Sequence, residues 1–419
     1  MKKKLAILSL VFSAFLLISC SAKDNGVSKS QKYGKELMQD VQNNFNAAKE
    51  KDFFNLSFSE KSRLIFPENI AEFSNIEILP TDMPTQKDFL NNFKEQFSYY
   101  LPGKEFEYSH YYFAPYDSKL NEKFWLEIGY YPKTSDYEEQ IKSDYMKTVC
   151  LMYETALMPE YGGNGVTGND CFFLMFNDTN YIQYNQGKAF KLADVQNSIG
   201  GLLPKDMFEY VETLPENSNK KYKLLDKELS PQEAKTIAYE YLNSNPNRTG
   251  DLSSVSVVGN ADVYKITDDA YGYEFQSSRE YNGIPFDYFE GGQYSDYNYY
   301  FDTGNIFICE SNNIELAYIT GDRYNVNKLK TFDSIVMPES ALDLFAREFT
   351  SGVKFDILKM ELVYCPSKID YNIPESERPI QTAVLSWKIE LFNNNDNLIY
   401  RAFIDAENGE NFRYYTTKK

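Results

Sequence analysis

Leu37, Val41, Phe45 and Ala48 recur at three- and four-residue intervals between Lys32 and Phe54, a stretch without Pro or Gly after Gly34. That spacing places them on one buried helical face. A second helix is predicted from Thr85, just after Pro84, with Phe89, Phe93 and Phe97 a turn apart and Pro102-Gly103 closing it. The period then shortens. Phe106–Phe113, Lys123–Tyr131, Lys147–Tyr153 and Cys171–Tyr184 are aromatic runs with β preference, the last broken by the turn sequence Asn177-Asp178-Thr179-Asn180. Pro215-Glu216-Asn217-Ser218-Asn219-Lys220-Lys221 carries no apolar side chain after its proline, and so is the expected boundary of an N-terminal domain.

Beyond that boundary the pattern repeats. Ser230-Pro231-Gln232-Glu233 reads as a capping box, with Ser at the N-cap, Pro at the first helical position and Glu at the third. Ala234, Ile237, Ala238, Tyr241 and Leu242 form the helical face behind it. Pro338, 107 residues after Pro231, opens a matching helix in which Ala341, Phe345 and Phe349 stand where Ala234, Ala238 and Leu242 do. Each helix leads to a β-leaning run (Ser253–Val258; Asp356–Cys365) and then to an aromatic strand (Tyr271–Phe275; Ala383–Leu391). Each ends on an Asp and a Gly turn, Phe301-Asp302-Thr303-Gly304-Asn305 and Ile404-Asp405-Ala406-Glu407-Asn408-Gly409-Glu410. Ala383, Leu385, Trp387, Ile389 and Leu391 alternate with Thr382, Ser386, Lys388 and Glu390, which predicts a strand with one wet face.

This order, with Tyr281-Asn282-Gly283-Ile284-Pro285-Phe286, resembles the PepSY type of extracytoplasmic domain, over roughly 230–320 and 338–415. The resemblance implies a small helix-on-sheet unit that restrains or senses a partner. The Tyr-rich insert Asp287–Tyr300 departs from the pattern in the first unit. The expected class is therefore α+β, helices packed on antiparallel sheets. The expected division is a 31–220 N-terminal domain, then PepSY-like domains at 228–325 and 330–419.

The first twenty residues carry an address. Three lysines precede an apolar, uncharged run from Leu5 to Ile18, which is shorter than the roughly 20 residues a spanning helix needs. Leu17-Ile18-Ser19-Cys20 resembles the lipobox of bacterial lipoprotein precursors. That resemblance implies a signal peptide over 1–19, a lipid-bearing Cys20 as the mature first residue, and a tether over 20–30. It also implies a body anchored on the extracytoplasmic face of the cell membrane, or on the outer membrane where a cell has two. Two or more acyl chains hold what one chain holds only marginally.

Charge narrows the partners. With 43 bases against 61 acids the chain has a net charge of -18, which opposes phosphate recognition, so no nucleic-acid partner is expected. Loss of Lys2, Lys3 and Lys4 with the signal leaves 40 against 61, or -21. Such a body is repelled by an anionic leaflet.

Candidate chemistry is sparse. His110 is the single histidine, so a site needing two is excluded, and no pattern in the sequence assigns it a nucleophile or an orienting partner. Gly163-Asn164-Gly165-Val166-Thr167-Gly168-Asn169-Asp170 has P-loop glycine spacing but places Asn169 where the phosphate-gripping Lys belongs. No EF-hand loop occurs, Asp268-Asp269 reads as a turn, and neither a cofactor, a metal nor a catalytic residue is expected. Cys150, Cys171, Cys309 and Cys365 permit disulfides 150–171 and 309–365, or four buried thiols. The segment Phe286–Asp302 holds five tyrosines and four acids, and Tyr288, Tyr294 and Tyr297 are its candidate ligand surface. The expected function is a non-catalytic, membrane-anchored module for a protein or envelope partner. A solute or glycan binder using the tyrosines is one alternative, and a carboxylate-dependent hydrolase the second.

Overall fold

The computed structural model describes residues 29–30, 34–67, 70, 72–79, 86–100, 102–103, 149–154, 171–176, 181–185, 204–246, 250–252, 254–287, 304–320, 325–348, 353–366, 381–410 and 413–417. In chain order the elements begin with β1 (Lys29–Ser30), α1 (Gly34–Lys49), β2 (Leu56–Ile65), β3 (Phe73–Leu79) and α2 (Gln86–Tyr100). Next come β4 (Val149–Glu154), β5 (Cys171–Phe176), β6 (Tyr181–Asn185), the single turn α3 (Pro204–Met207) and β7 (Glu209–Leu214). Then follow β8 (Tyr222–Lys223), β9 (Glu228–Leu229), α4 (Pro231–Asn243), β10 (Val255–Lys265), β11 (Tyr271–Tyr281), β12 (Ile284–Pro285) and β13 (Gly304–Ile308). The chain continues through β14 (Leu316–Thr320), β15 (Asn325–Phe332), β16 (Ile335–Val336), α5 (Pro338–Glu348) and β17 (Phe355–Pro366). It ends in β18 (Gln381–Asn393), β19 (Leu398–Asp405) and β20 (Arg413–Thr417). The protein is α+β. The runs expected at Phe106–Phe113 and Lys123–Tyr131, together with His110 and the Gly163–Asp170 loop, lie outside the described residues.

Two compact units divide the chain, and neither is a simple segment of sequence. One comprises 1–73, 332–362 and 385–419, the other 74–331 and 363–384. The polar stretch 215–221 falls inside the second unit, contrary to its expected place between domains. Its charges explain this: Lys235 of α4 pairs with Glu216 at 2.5 Å, and Lys220 pairs with Glu212 of β7.

The second unit is built on a sheet of order β4-β5-β6-β14-β13-β11-β10-β7. Its described neighbours pair antiparallel: β10 with β7 and β11, β11 with β13, β13 with β14, and β14 with β6. Helices α2 and α4 cover one face. Phe93, Phe97 and Tyr100 meet Ala234, Ala238 and Leu242 over Val263, Tyr273, Phe275, Ile306 and Ile308. The Tyr273 hydroxyl donates to the Leu229 carbonyl at 2.7 Å and accepts from the Tyr222 N–H at 3.2 Å, so this buried phenol is fully used. The predicted capping box starts α4. Glu233 N–H donates to Ser230 Oγ at 3.3 Å, while Ser230 N–H donates to Glu233 Oε2 at 2.7 Å. The latter bond, aided by Lys221, holds the Glu233 carboxyl down at about 2. Ser230→Ala is expected to lower stability by about 1 kcal/mol in a denaturant titration.

Gly272 of β11 shows why a strand glycine is needed here. A Cβ at that position would fall inside van der Waals distance of the Phe307 ring, which Phe208 stacks at 5.7 Å. Both rings are buried. Gly272→Ala is therefore expected to cost about 1–3 kcal/mol as overpacking, read as a lowered denaturation midpoint at unchanged slope.

In the first unit α1 packs on α5, and Leu37, Val41, Phe45 and Ala48 are all buried, as their spacing predicts. The strand pairing here is partly parallel, against the antiparallel expectation. β2 runs alongside β17 with Leu56 opposite Phe355 and Arg63 opposite Lys359. β18 pairs antiparallel with β19, and β19 with β20. The turn after Asp405 has Gly409 at φ +76°, and Asp405 accepts the Glu407 N–H at 2.8 Å. A helix followed by three strands that neighbour one another in a sheet thus occurs twice: α4 with β10, β11 and β13, the two-residue β12 intervening in the chain, and α5 with β17, β18 and β19. Ala341 and Phe345 are buried like their counterparts Ala234 and Ala238, while Phe349 lies outside the described residues.

The wet face expected on β18 is dry. Lys388 is 0 % exposed and Ser386 buried, as are Lys359 and Glu361 of β17 and Arg401 of β19. Lys359 Nζ lies 3.4 Å from Glu361 and 3.5 Å from Glu390, and Lys388 Nζ lies 3.9 and 3.7 Å from the same two carboxylates. Alternation shows that two faces differ in polarity, but a polar face that pairs its own charges can be covered as completely as an apolar one.

Candidate functional site

The face of the second unit's sheet turned away from its helices is polar near β7. Val263 and Tyr273 point into the core, so their neighbours Asp262, Tyr264 and Glu274 point the other way. Asp262 stands directly opposite Glu274 on β11 and opposite Thr213 on β7. The Thr213 hydroxyl donates to Asp262 Oδ1 at 2.5 Å, and Asn305 Nδ2 of β13 donates to Glu274 Oε1 at 2.7 Å. A ladder of polar side chains therefore crosses four strands. Glu274 is 9 % exposed, and burial raises its carboxyl to about 7; the Asp262 charge adds to this, while donors from Tyr264 and Asn305 oppose it. Burial, with Glu274 beside it, also pushes the Tyr264 phenol well above its usual range, so it remains a donor. The Glu274 carboxyl can thus take up or release a proton near neutrality.

The site opens at β7, the end of the sheet. Among the described residues β7 has β10 on one side only. Glu209, Tyr210, Val211 and Thr213 are exposed, Tyr210 by 54 % and Val211 by 38 %. The β10 register skips between Val263 and Tyr264, leaving Val211 without an opposite residue. This bulge puts Glu209 and Glu212 opposite Lys265 and Val263, two residues apart on one face of β10. Tyr210 leans edge-on against Tyr264 at 5.9 Å, with its hydroxyl 2.8 Å from that of Thr213. Backbone groups along such an edge can pair with an extended strand.

The sequence-derived candidates fare differently. Cys20, Tyr288, Tyr294 and Tyr297 lie outside the described residues, as do the side chains of Cys150 and Cys171. The backbone register nevertheless places Cys150 opposite Met175 and Cys171 opposite Glu154. The two are thus four residues out of step, roughly 13 Å along the ladder, beyond the ~7 Å limit for a disulfide. Cys309 and Cys365 are both buried thiols and form no disulfide. Cys309 lies just after β13, where its thiol is 3.6 Å from Glu315 Oε2, and Cys365 belongs to β17. Asp268 is a turn residue as expected, 98 % exposed at its side chain and paired with Lys265 at 2.8 Å. Among the described residues no group of three or more His, Cys, Asp or Glu is placed to hold a metal ion.

Asp262 and Glu274 are absent from the sequence-derived candidates. Twelve residues and a hairpin separate them, and the register shift between Val258 and Asp262 hides their pairing from any count along β10. The one available signal was a Glu between Tyr273 and Phe275, a charge in a strand otherwise too aromatic to be wet.

No protein-family model and no curated protein matches the chain. Among solved structures it is similar to an uncharacterised protein from Eubacterium rectale, at 12 % identity and a TM-score of 0.44, over 90 % of this chain and 99 % of that one. It is also similar to the C-terminal domain of Bacillus megaterium YpeB, at 12 % identity and a TM-score of 0.23, over 68 % of this chain and 98 % of that domain. Neither likeness is close enough to assign a function.

Proposed function

We propose that the chain is a membrane-anchored, extracytoplasmic lipoprotein whose body is a non-catalytic binding module, taking an extended segment of a protein partner along β7. The observation that carries this reading is the terminal strand exposed along most of its length, with Tyr210 and Val211 standing out. Main-chain pairing supplies affinity in such an arrangement, and alternate side chains supply selectivity. The leader ending in Cys20 supports the anchor, and the twice-repeated order of helix and three strands supports a PepSY-like reading of the C-terminal half.

A photo-crosslinking residue placed at Val211 in the anchored protein tests the reading. It is expected to yield an adduct with a discrete envelope protein, while the same residue at the exposed Tyr239 of α4 does not. Identical adducts at both positions, or none at Val211, would remove the strand-addition reading. The opposed carboxyls of Asp262 and Glu274 favour a second reading, a carboxylate-dependent hydrolase. Turnover of a peptide or glycan substrate, abolished in Glu274→Gln, would displace the first reading.

A further inference from the structure

We propose that the segment taken up along β7 carries a lysine or arginine beside Thr213, and that Asp262 and Glu274 seat its cation. The inference rests on the strand-addition reading and adds to it the chemistry of the partner. Thr213, Asp262 and Glu274 stand directly opposite one another on β7, β10 and β11, in one row across the face turned away from the helices. A strand added at β7 extends that row by one position, so one of its side chains comes to lie beside Thr213. Thr213 is exposed and short, and Asp262 behind it is half-buried. Two strand spacings, roughly 10 Å, separate the added backbone from β10. A lysine or arginine stem passes over Thr213 along apolar atoms and brings its charge to the carboxyls.

The groups on this face leave a place for a donor. Glu274 is 9 % exposed and is held by Asn305 and Tyr264, both of them neutral. Lys205 of α3 pulls its carboxyl down less than either does. Two residues along β11 on the same face, and opposite Asn305 of β13, the side-chain oxygen of Gln276 is buried without a hydrogen-bond partner. Elsewhere the chain buries carboxylates against its own cations, Glu390 against Lys359 and Lys388, and Glu216 against Lys235. Lys220 and Lys221 are committed on the other face of β7, to Glu212 and Glu233. A cation arriving beside Thr213 lowers the cost of holding Glu274 charged opposite Asp262, whereas an acidic residue at the same place raises it.

A displayed heptapeptide library is selected on the full chain, and peptides that crosslink to a photoreactive residue at Val211 but not to one at Tyr239 are kept. The kept peptides are expected to share a lysine or arginine at one position. Norleucine at that position should weaken binding about tenfold to the wild-type chain at low salt, and by under about twofold to Asp262→Asn or Glu274→Gln. Both variants should hold the norleucine peptide as the wild type does, which a merely structural loss would not preserve. Kept peptides without a shared basic residue, or the same norleucine penalty in wild type and both variants, overturn the cation seat and leave strand addition standing. Absence of any peptide that crosslinks at Val211 overturns both. Equal weakening of the basic and the norleucine peptide by the variants assigns Asp262 and Glu274 to the fold alone and overturns the proposal.

Discussion

Glu390→Gln is expected to destabilise the protein by about 3–5 kcal/mol at neutral pH, because it takes the carboxylate out of a buried group of cations. Lys359 and Lys388 lie 3.5 and 3.7 Å from that carboxylate, and Arg401 stands opposite it on β19. Arg63 acts from β2, opposite Lys359. Burial resists ionisation of Glu390, but these four positive charges prevail and hold its pKa down at about 2. A group depressed in the folded state stabilises above its unfolded value near 4.5 and loses that contribution as pH falls toward the folded value. Wild type and variant should accordingly differ most at pH 7 and converge only as pH falls through about 2. Urea titrations at both pH values provide the comparison, and a difference under about 1 kcal/mol at pH 7 would show that the cations find other counter-charges.

Glu274→Gln should act in the opposite direction. The Glu274 carboxyl is raised to about 7 against an ordinary 4.5, chiefly by burial. As pH rises between these values the unfolded chain gives up its proton first, so the folded state loses up to about 3 kcal/mol of stability across the window. Glutamine keeps an oxygen for Asn305 and carries no charge beside Asp262. The variant is therefore expected to match wild type near pH 4 and to exceed it at pH 8. Parallel stability profiles for the two proteins would mean that Glu274 keeps its charge without penalty. Between them the substitutions separate a carboxylate that holds its sheet together from one that burdens it, a distinction that matters because only the second kind suggests a binding or chemical role.

Local features were readable from the chain. The capping box at Ser230, the buried faces of α1 and α4 and the turn at Asp405–Gly409 each depend on residues a few positions apart. What could not be read depends on distant partners. The parallel pairing of β2 with β17 joins residues about 300 positions apart, and no periodicity announces it. Lys388 looks wet because its own strand alternates, whereas its partner Glu361 comes from a strand whose place in the sheet the sequence does not give. Cys309 and Cys365 have an even-count logic that fails because they are separate buried thiols, Cys309 just after β13 and Cys365 near the end of β17. The Asp262–Glu274 pairing was concealed by a bulge of the kind that often occurs near functional edges.

The discontinuous first unit has a consequence for biogenesis. β1, α1 and β2 leave the ribosome first, yet β16, α5 and β17 are among the last segments to follow. Most of the second unit lies in the single stretch 74–331 and can close on itself during synthesis. The first segments must then wait, apolar faces uncovered, until the C-terminal fifth arrives, and loop closure over such a length is slow. A chain cut short after residue 331 would keep α1 and β2 permanently exposed, open to proteolysis rather than merely lacking its last domain.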